Sequence, residues 1–260
     1  MIPYFNITFP KILGLQIHMF GILVAIGIVV GARLTHRRGR ELGLDDDRVA
    51  SMITTILISG FIFAHLFAVF AYQTSEPLTM WRLLNPFGGL SSYGGFIGAV
   101  GGLFYWCRRN QQPVMPYADA LAYGLATGWM FGRLGCFSAH DHPGHKTDFF
   151  LAVQYPGGAR HDLGLYEALW SAGVTTIFQI LSRVGKQPRP LGIYLSLLVT
   201  LYAPVRWFFD SLRAYDTQGA DPRYAGMTPA QWLSIATLIV GALIVRWTIN
   251  HVKKGAPAAS

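Results

Sequence analysis

The chain has 260 residues, 52% of them hydrophobic and only 13% charged, with a mean hydropathy of +0.35. A water-soluble domain of that composition would lack the polar groups to cover its surface, so the expected solvent is lipid. The formal charge of +8 does not indicate nucleic acid, because most of the excess flanks apolar runs, where anionic lipid attracts it.

A helical span needs about 20 mostly apolar residues, and the sequence predicts seven, at 13–34, 49–72, 90–106, 117–137, 165–181, 191–209 and 232–247. Residues 1–10 are uncharged and precede a long apolar run, unlike the basic n-region and short core of a cleaved signal peptide, so the first span is expected to be retained. Cys107 and Cys136 fall at the ends of consecutive spans, on opposite sides of the bilayer, and imply no disulfide.

Orientation follows from short-loop Lys and Arg, which stay cytoplasmic. Arg33, Arg37, Arg38, Arg40 and Arg48 follow the first span, Arg108 and Arg109 the third, Arg183, Lys186 and Arg189 the fifth, and Lys253 and Lys254 the last. The opposite ends mix Lys11, Arg82, Lys146, Arg160, Arg213 and Arg223 with several aspartates, so the N-terminus is expected outside. The fold class is therefore an all-α membrane protein of about seven spans, with external loops over a polar cavity. One membrane domain covers 1–254, and 255–260 form a frayed tail.

Two external segments, 138–164 and 211–231, exceed ordinary connectors and are expected to carry function. Gly94, Gly95, Gly98, Gly101 and Gly102 are small residues spaced for close helix packing, and packing alone accounts for the last three. A break at 86–89 precedes SSYGGF and puts Tyr93 near the external interface, where tyrosine also serves as an ordinary membrane-belt residue.

Ionisable groups in hydrocarbon cost roughly 2.5–3.5 kcal/mol each near a helix centre and are usually functional or paired. Here they are Arg133, Arg206, Asp210, Glu167, His18 and His65. The first four, with His18 and Tyr93, approach one external level and would line a common cavity. Arg206 and Asp210 are one helical turn apart and suited to an intrahelical ion pair. Glu167 is better placed as a partner for Arg133 or Arg206 than as a base, because a carboxylate beside arginines stays ionised. The run HDHPGH, with His140, Asp141, His142 and His145, plus His161, holds zinc-ligand types, but its spacing matches no metal motif, and the reading here is no metal.

From FGRLGCF at 131–137 the chain resembles the prolipoprotein diacylglyceryl transferase family, whose signature is a GRLGNF-like run followed by an acidic residue and glycine. Its H-W-Y-G resembles His18, Met19, Phe20 and Gly21, and its F-H-G-G-L-I-G resembles SYGGFIG at 92–98. Its R-H-P-S-Q-L-Y-E resembles RHDLGLYE at 160–167, its F-R-x-x-x-E-x-x-R resembles Val205, Arg206, Asp210 and Arg213, and its late G-Q resembles Ala230 and Gln231. The departures are Cys136 for Asn, Asp141 for Glu, Phe20 for Tyr, Tyr93 for His, and His65 at a usual Arg position.

The resemblance implies a bacterial inner-membrane enzyme that moves the diacylglyceryl group of phosphatidylglycerol onto the lipobox cysteine of a prolipoprotein. It works without cofactor, as a monomer, and the product is a thioether. It implies Arg133, Arg206, Tyr93 and Asp141 as catalytic residues, with the arginines binding the leaving phosphate through paired hydrogen bonds. Substrate contacts fall to His18, Phe20, Gly94, Gly95, Gly132, Cys136, Gly144, Tyr166, Glu167, Asp210 and Arg213. Tyrosine is a poor base at a reference pKa of about 10, so Tyr93 is expected to orient, and His140, His142 or His161 to accept the proton. Competing readings are a paralogue with a changed substrate, a lipid-binding or transport protein, and a metal-dependent membrane hydrolase.

Overall fold

A computed structural model describes residues 1–5, 7, 17–72, 78–85, 89–185, 187–216 and 223–253. The predicted start of the first span at 13–16, part of the break at 86–88, the tail 255–260 and the orienting residues Lys11, Lys186 and Lys254 lie outside these.

Among these residues eight helices follow in order: α1 Met19–Glu41, α2 Asp46–Phe67, α3 Met80–Leu84, α4 Ser92–Arg109, α5 Val114–Ala139, α6 Leu163–Leu181, α7 Ile193–Ser211 and α8 Pro229–Lys253. A π-helical turn, Ala68–Tyr72, extends α2. Short polar residues start several of them. Asp45, Ser91 and Asp162 accept from the backbone N–H of Arg48, Gly94 and Leu165, capping α2, α4 and α6. Between α1 and α2, Gly43 takes φ +74, a left-handed turn suited to glycine.

Among the described residues three helices are long and apolar enough to cross a membrane by length and composition: α1, the Asp46–Phe70 stretch and α8. α5 is the central member, packed on α1, α6 and α7. Its buried residues include Asp119, Thr127 and Arg133 beside alanines and tyrosines. A helix that meets other helices rather than lipid can carry polar groups that an outward-facing one cannot.

Close approach is made by glycine. A methyl group on Gly124 would lie 2.2 Å from both Gly31 O and Thr35 Oγ1, so α1 and α5 nearly touch backbones. Gly94 and Gly98 press α4 against Phe63 and Ser59 of α2, and Gly102 faces Ser59, whereas Gly101 faces open space. The packing reading thus fits Gly98 and Gly102 but not Gly101.

At one end of the bundle Arg38, fully buried, donates to Asp119 Oδ2 through Nε at 3.1 Å and Nη2 at 2.8 Å, and to the carbonyls of Arg189 and Pro190. Asp119 Oδ1 accepts from the N–H groups of Tyr194 and Leu195. α1, α5 and the start of α7 are joined there by one carboxylate.

The all-α expectation needs correction at the other end. The segment expected as a loop folds into β2 Pro143–Lys146, β3 Val153–Tyr155 and β4 Gly158–Asp162, and β1 Ile2–Pro3 completes a sheet of order β1-β3-β4-β2. β1 joins β3 in parallel and the other pairings are antiparallel. The turn is made by Gly157 and Gly158, φ +93 and +123. This small cap is fastened to the residues after α7: Gly144 bridges Arg213, His145 N donates to Leu212 O, and Arg160 is bidentate to Asp216 at 2.8 and 2.6 Å.

Candidate active site

The C-terminal halves of α5 and α7 and the first turn of α6 converge beneath the cap. Glu167, on α6, is the point of convergence: Arg133 Nε lies 2.9 Å from its Oε2, and Arg206 Nη1 donates to its Oε1. Arg206 also donates to Asp210 Oδ1 at 2.9 Å, one turn along α7, and Arg213 approaches the same oxygen at 3.8 Å. Asp210 is completed by the Thr228 hydroxyl, which donates to Oδ2. Glu167, Asp210 and Arg133 are all buried. Three guanidinium groups facing two carboxylates leave one net positive charge.

Aromatic rings wall this cluster. Arg133 lies over Trp129 at 4.8 Å, and Tyr202 packs between Trp129 and Trp170. A cation over an indole face gains about 0.5–2 kcal/mol, more when water is excluded. Trp129 and Tyr202, missed in the sequence reading, precede Arg133 and Arg206 by four residues each, so an aromatic one turn before each arginine of an apolar run was the legible signal. Tyr93, on α4, is within electrostatic reach of Arg206.

The remaining expected residues are distributed differently. Cys136 Sγ is 3.8 Å from Arg133 Nη1. α5 ends at His140, whose left-handed backbone (φ 50, ψ 36) turns the chain back on itself. Asp141 and His142 therefore return toward Cys136, with His142 Nδ1 2.5 Å from Asp141 Oδ1. His140 is buried, bonded through Nδ1 to Asp162 Oδ2 at 3.0 Å, with its ring stacked on Tyr4. Its Nδ1 is thus committed to holding the turn.

Tyr166 hydroxyl pairs with His161 Nδ1 at 2.9 Å, and burial lowers the His161 pKa. A methyl group on Gly144 would lie 2.7 Å from Leu212 O, so this glycine serves cap docking. Phe20 packs on Gly135, Gly94 packs on α2, Gly95 is partly buried beside Ala64 of α2, and Gly132 faces open space. His18 is exposed at the start of α1. His65 bonds the carbonyls of Arg82 and Gly89 and so secures the entry to α4. Both cysteines are free. A surface hollow lined by His145, Lys146, Tyr215 and Asp216 belongs to the cap, not to the arginines.

Long apolar helices around a buried arginine–carboxylate cluster, beside a small sheet, are the features of a helical membrane protein. The sequence model of prolipoprotein diacylglyceryl transferase matches residues 8–247, and the chain belongs to that family. Among its relatives are proteins named phosphatidylglycerol–prolipoprotein diacylglyceryl transferase. The one from Chromohalobacter salexigens is 27% identical, over 90% of this chain and 88% of its own length. Those from Vibrio parahaemolyticus and Geobacter sulfurreducens are each 28% identical, covering 91% and 83% of this chain and 88% and 85% of their own.

Proposed function

We propose that the chain transfers the diacylglyceryl group of phosphatidylglycerol to the lipobox cysteine of a prolipoprotein. The thiol sulfur attacks the glycerol carbon, the C–O bond breaks, and glycerol phosphate leaves. The observation that carries this reading is the sharing of Glu167 by Arg133 and Arg206. It holds two guanidinium forks side by side with one positive charge in excess, matched to a phosphodiester monoanion. The forks stabilise the second charge that develops as the phosphate ester departs.

In this reading α1, α2 and α4–α8 are the seven spans, set in the bacterial inner membrane with the N-terminus and cap outside and the Arg38 end cytoplasmic. The chain acts as a monomer. Tyr93 orients the reacting groups, and phosphatidylglycerol enters between helices from the outer leaflet.

The test is thioether formation by purified protein given phosphatidylglycerol and a lipobox peptide. Arg133→Ala and Arg206→Ala are each expected to lower turnover by about 10²–10³, the usual effect of removing one donor from a developing oxyanion. Undiminished turnover in either variant removes the leaving-group role. Lipid binding with no transfer by the parent protein would indicate a lipid-binding or transport protein instead.

A further inference from the structure

We infer that the indole N–H of Trp129 binds an ester carbonyl of the lipid, one helical turn below the arginine that takes its phosphate. The starting observation is a buried donor without an acceptor: Trp129 Nε1 has no hydrogen-bond partner among the described residues. Native proteins rarely leave such a group unpaired, because the lost contacts with water are not replaced. The ring is also held in place. Arg133 lies over its face at 4.8 Å, and Tyr202 packs edge-on to it, with ring centres 5.9 Å apart and planes at 84°. Tyr202 in turn leans on Trp170 at 5.6 Å, so α5, α7 and α6 each supply one ring to this wall.

Depth identifies the chemistry of the acceptor, and this step rests on the transfer reading above. Trp129 and Arg133 are four residues apart on α5, which puts them on one helix face, separated by about 6 Å of rise. With the Arg133 end outward, Trp129 lies that much deeper in the leaflet. The polar interface of one leaflet is about 5–7 Å deep, half the difference between the whole bilayer and its hydrocarbon core. A phospholipid carries its phosphate in the upper part of that layer and its two ester carbonyls at the floor, against the hydrocarbon. When Arg133 and Arg206 hold the phosphate, a carbonyl therefore arrives at the level of Trp129. An indole N–H only donates and an ester carbonyl only accepts, so the two are matched. Below the carbonyls the chains are hydrocarbon and offer the N–H nothing.

The contact binds substrate without taking part in bond exchange. Both ester linkages pass through the transfer unchanged, so the hydrogen bond is equally strong before and during reaction. An interaction of that kind lowers KM and leaves kcat alone. It also makes the site selective for lipids whose chains are joined through esters, a preference that the arginine cluster, which meets only the phosphate, has no means to express.

The experiment compares phosphatidylglycerol bearing two ester-linked oleoyl chains with its analogue bearing two ether-linked oleyl chains, which keeps the reacting carbon and the phosphate and lacks the carbonyls. The full chain, purified in detergent, receives each lipid with a lipobox peptide for turnover, and each lipid without peptide for binding by calorimetry. The parent should favour the ester lipid about fivefold in KM and in Kd, the usual worth of one neutral hydrogen bond, with kcat the same for both. Trp129→Phe, which keeps a ring under Arg133, should lose that factor toward the ester lipid and stay unchanged toward the ether lipid. A parent that treats the two lipids alike, or a variant that retains the preference, overturns the subsite. A loss in Trp129→Phe shared equally by both lipids also overturns it, because the N–H would then serve the phosphate or the Arg133 contact. The parent's discrimination needs no substitution, so the test stands even if the variant fails to fold. Absence of thioether from both lipids, with the binding preference present in the parent and gone in Trp129→Phe, keeps the subsite and sinks the transfer reading.

Discussion

Replacing Glu167 by glutamine is the sharpest perturbation of the cluster. Its side chain is 2% exposed and pairs with both Arg133 and Arg206. Arg206 keeps Asp210 after the change, but Arg133 is left buried with an amide and the Trp129 ring. Removing one partner of a buried ion pair costs about 3–5 kcal/mol, because the remaining charge is uncompensated. At about 2–4 °C per kcal/mol for a chain of this size, melting should fall by about 6–20 °C. Tryptophan fluorescence in detergent reads it directly. The double variant Arg133→Met with Glu167→Gln removes the stranded charge and should melt above Glu167→Gln alone. A single variant within about 2 °C of the parent, or a double variant melting lower than the single, refutes the claim that Glu167 neutralises Arg133.

Other outcomes are expected elsewhere in the molecule. Asp119→Asn removes the closest ionic partner of Arg38, which is 0% exposed and keeps Glu41 at 3.3 Å and two carbonyls, and should lose about 3 kcal/mol, the low end for a broken buried pair, measured by the same melting. Gly124→Ala forces α1 from α5, since the new methyl group meets backbone and Thr35 at 2.2 Å, and should cost about 1–3 kcal/mol. Gly101→Ala faces open space and should gain about 0.5–1 kcal/mol from helix propensity. Burial lowers the His161 pKa below 6.5, so the unfolded chain takes up the proton first. Stability should be full above pH 6.5, decline as pH falls toward the folded value, and lose that dependence in His161→Gln. Arg160 depresses Asp216 to about 2. Its contribution should persist above the ordinary value of 3.8 and vanish as pH falls through about 2, a loss absent from Asp216→Asn.

How much was legible depends on what each residue answers to. Apolar runs located every long helix, because burial in lipid or against neighbours is written into local composition. Boundaries shifted where polar residues continued the helix: α1 runs on through Arg37, Arg38 and Arg40, and α2 begins at Asp46. The sheet was hidden because its strands are two to five residues long and are fixed by the pairing of β3 with β1 and by Arg160–Asp216, contacts distant in sequence. Intramembrane charge pointed to Arg133, Glu167, Arg206 and Asp210, but only the fold puts the two arginines on one carboxylate. The metal-ligand types were visible in HDHPGH, yet the gathering of Cys136 with Asp141 and His142 depends on one left-handed residue, which no spacing rule announces.

The Arg38–Asp119 junction bears on how a two-tailed substrate gets in. From Asp119 to Arg133 is fourteen residues of α5, about 21 Å of helix at 1.5 Å per residue. Three helices are therefore clamped together far from the Arg133–Glu167–Arg206 cluster. Any parting of the bundle has to swing about that clamp, like tongs hinged at the handle, with the jaws beneath the sheet. Small rotations there translate into ångströms of clearance at the arginines, while the Arg38 end stays closed.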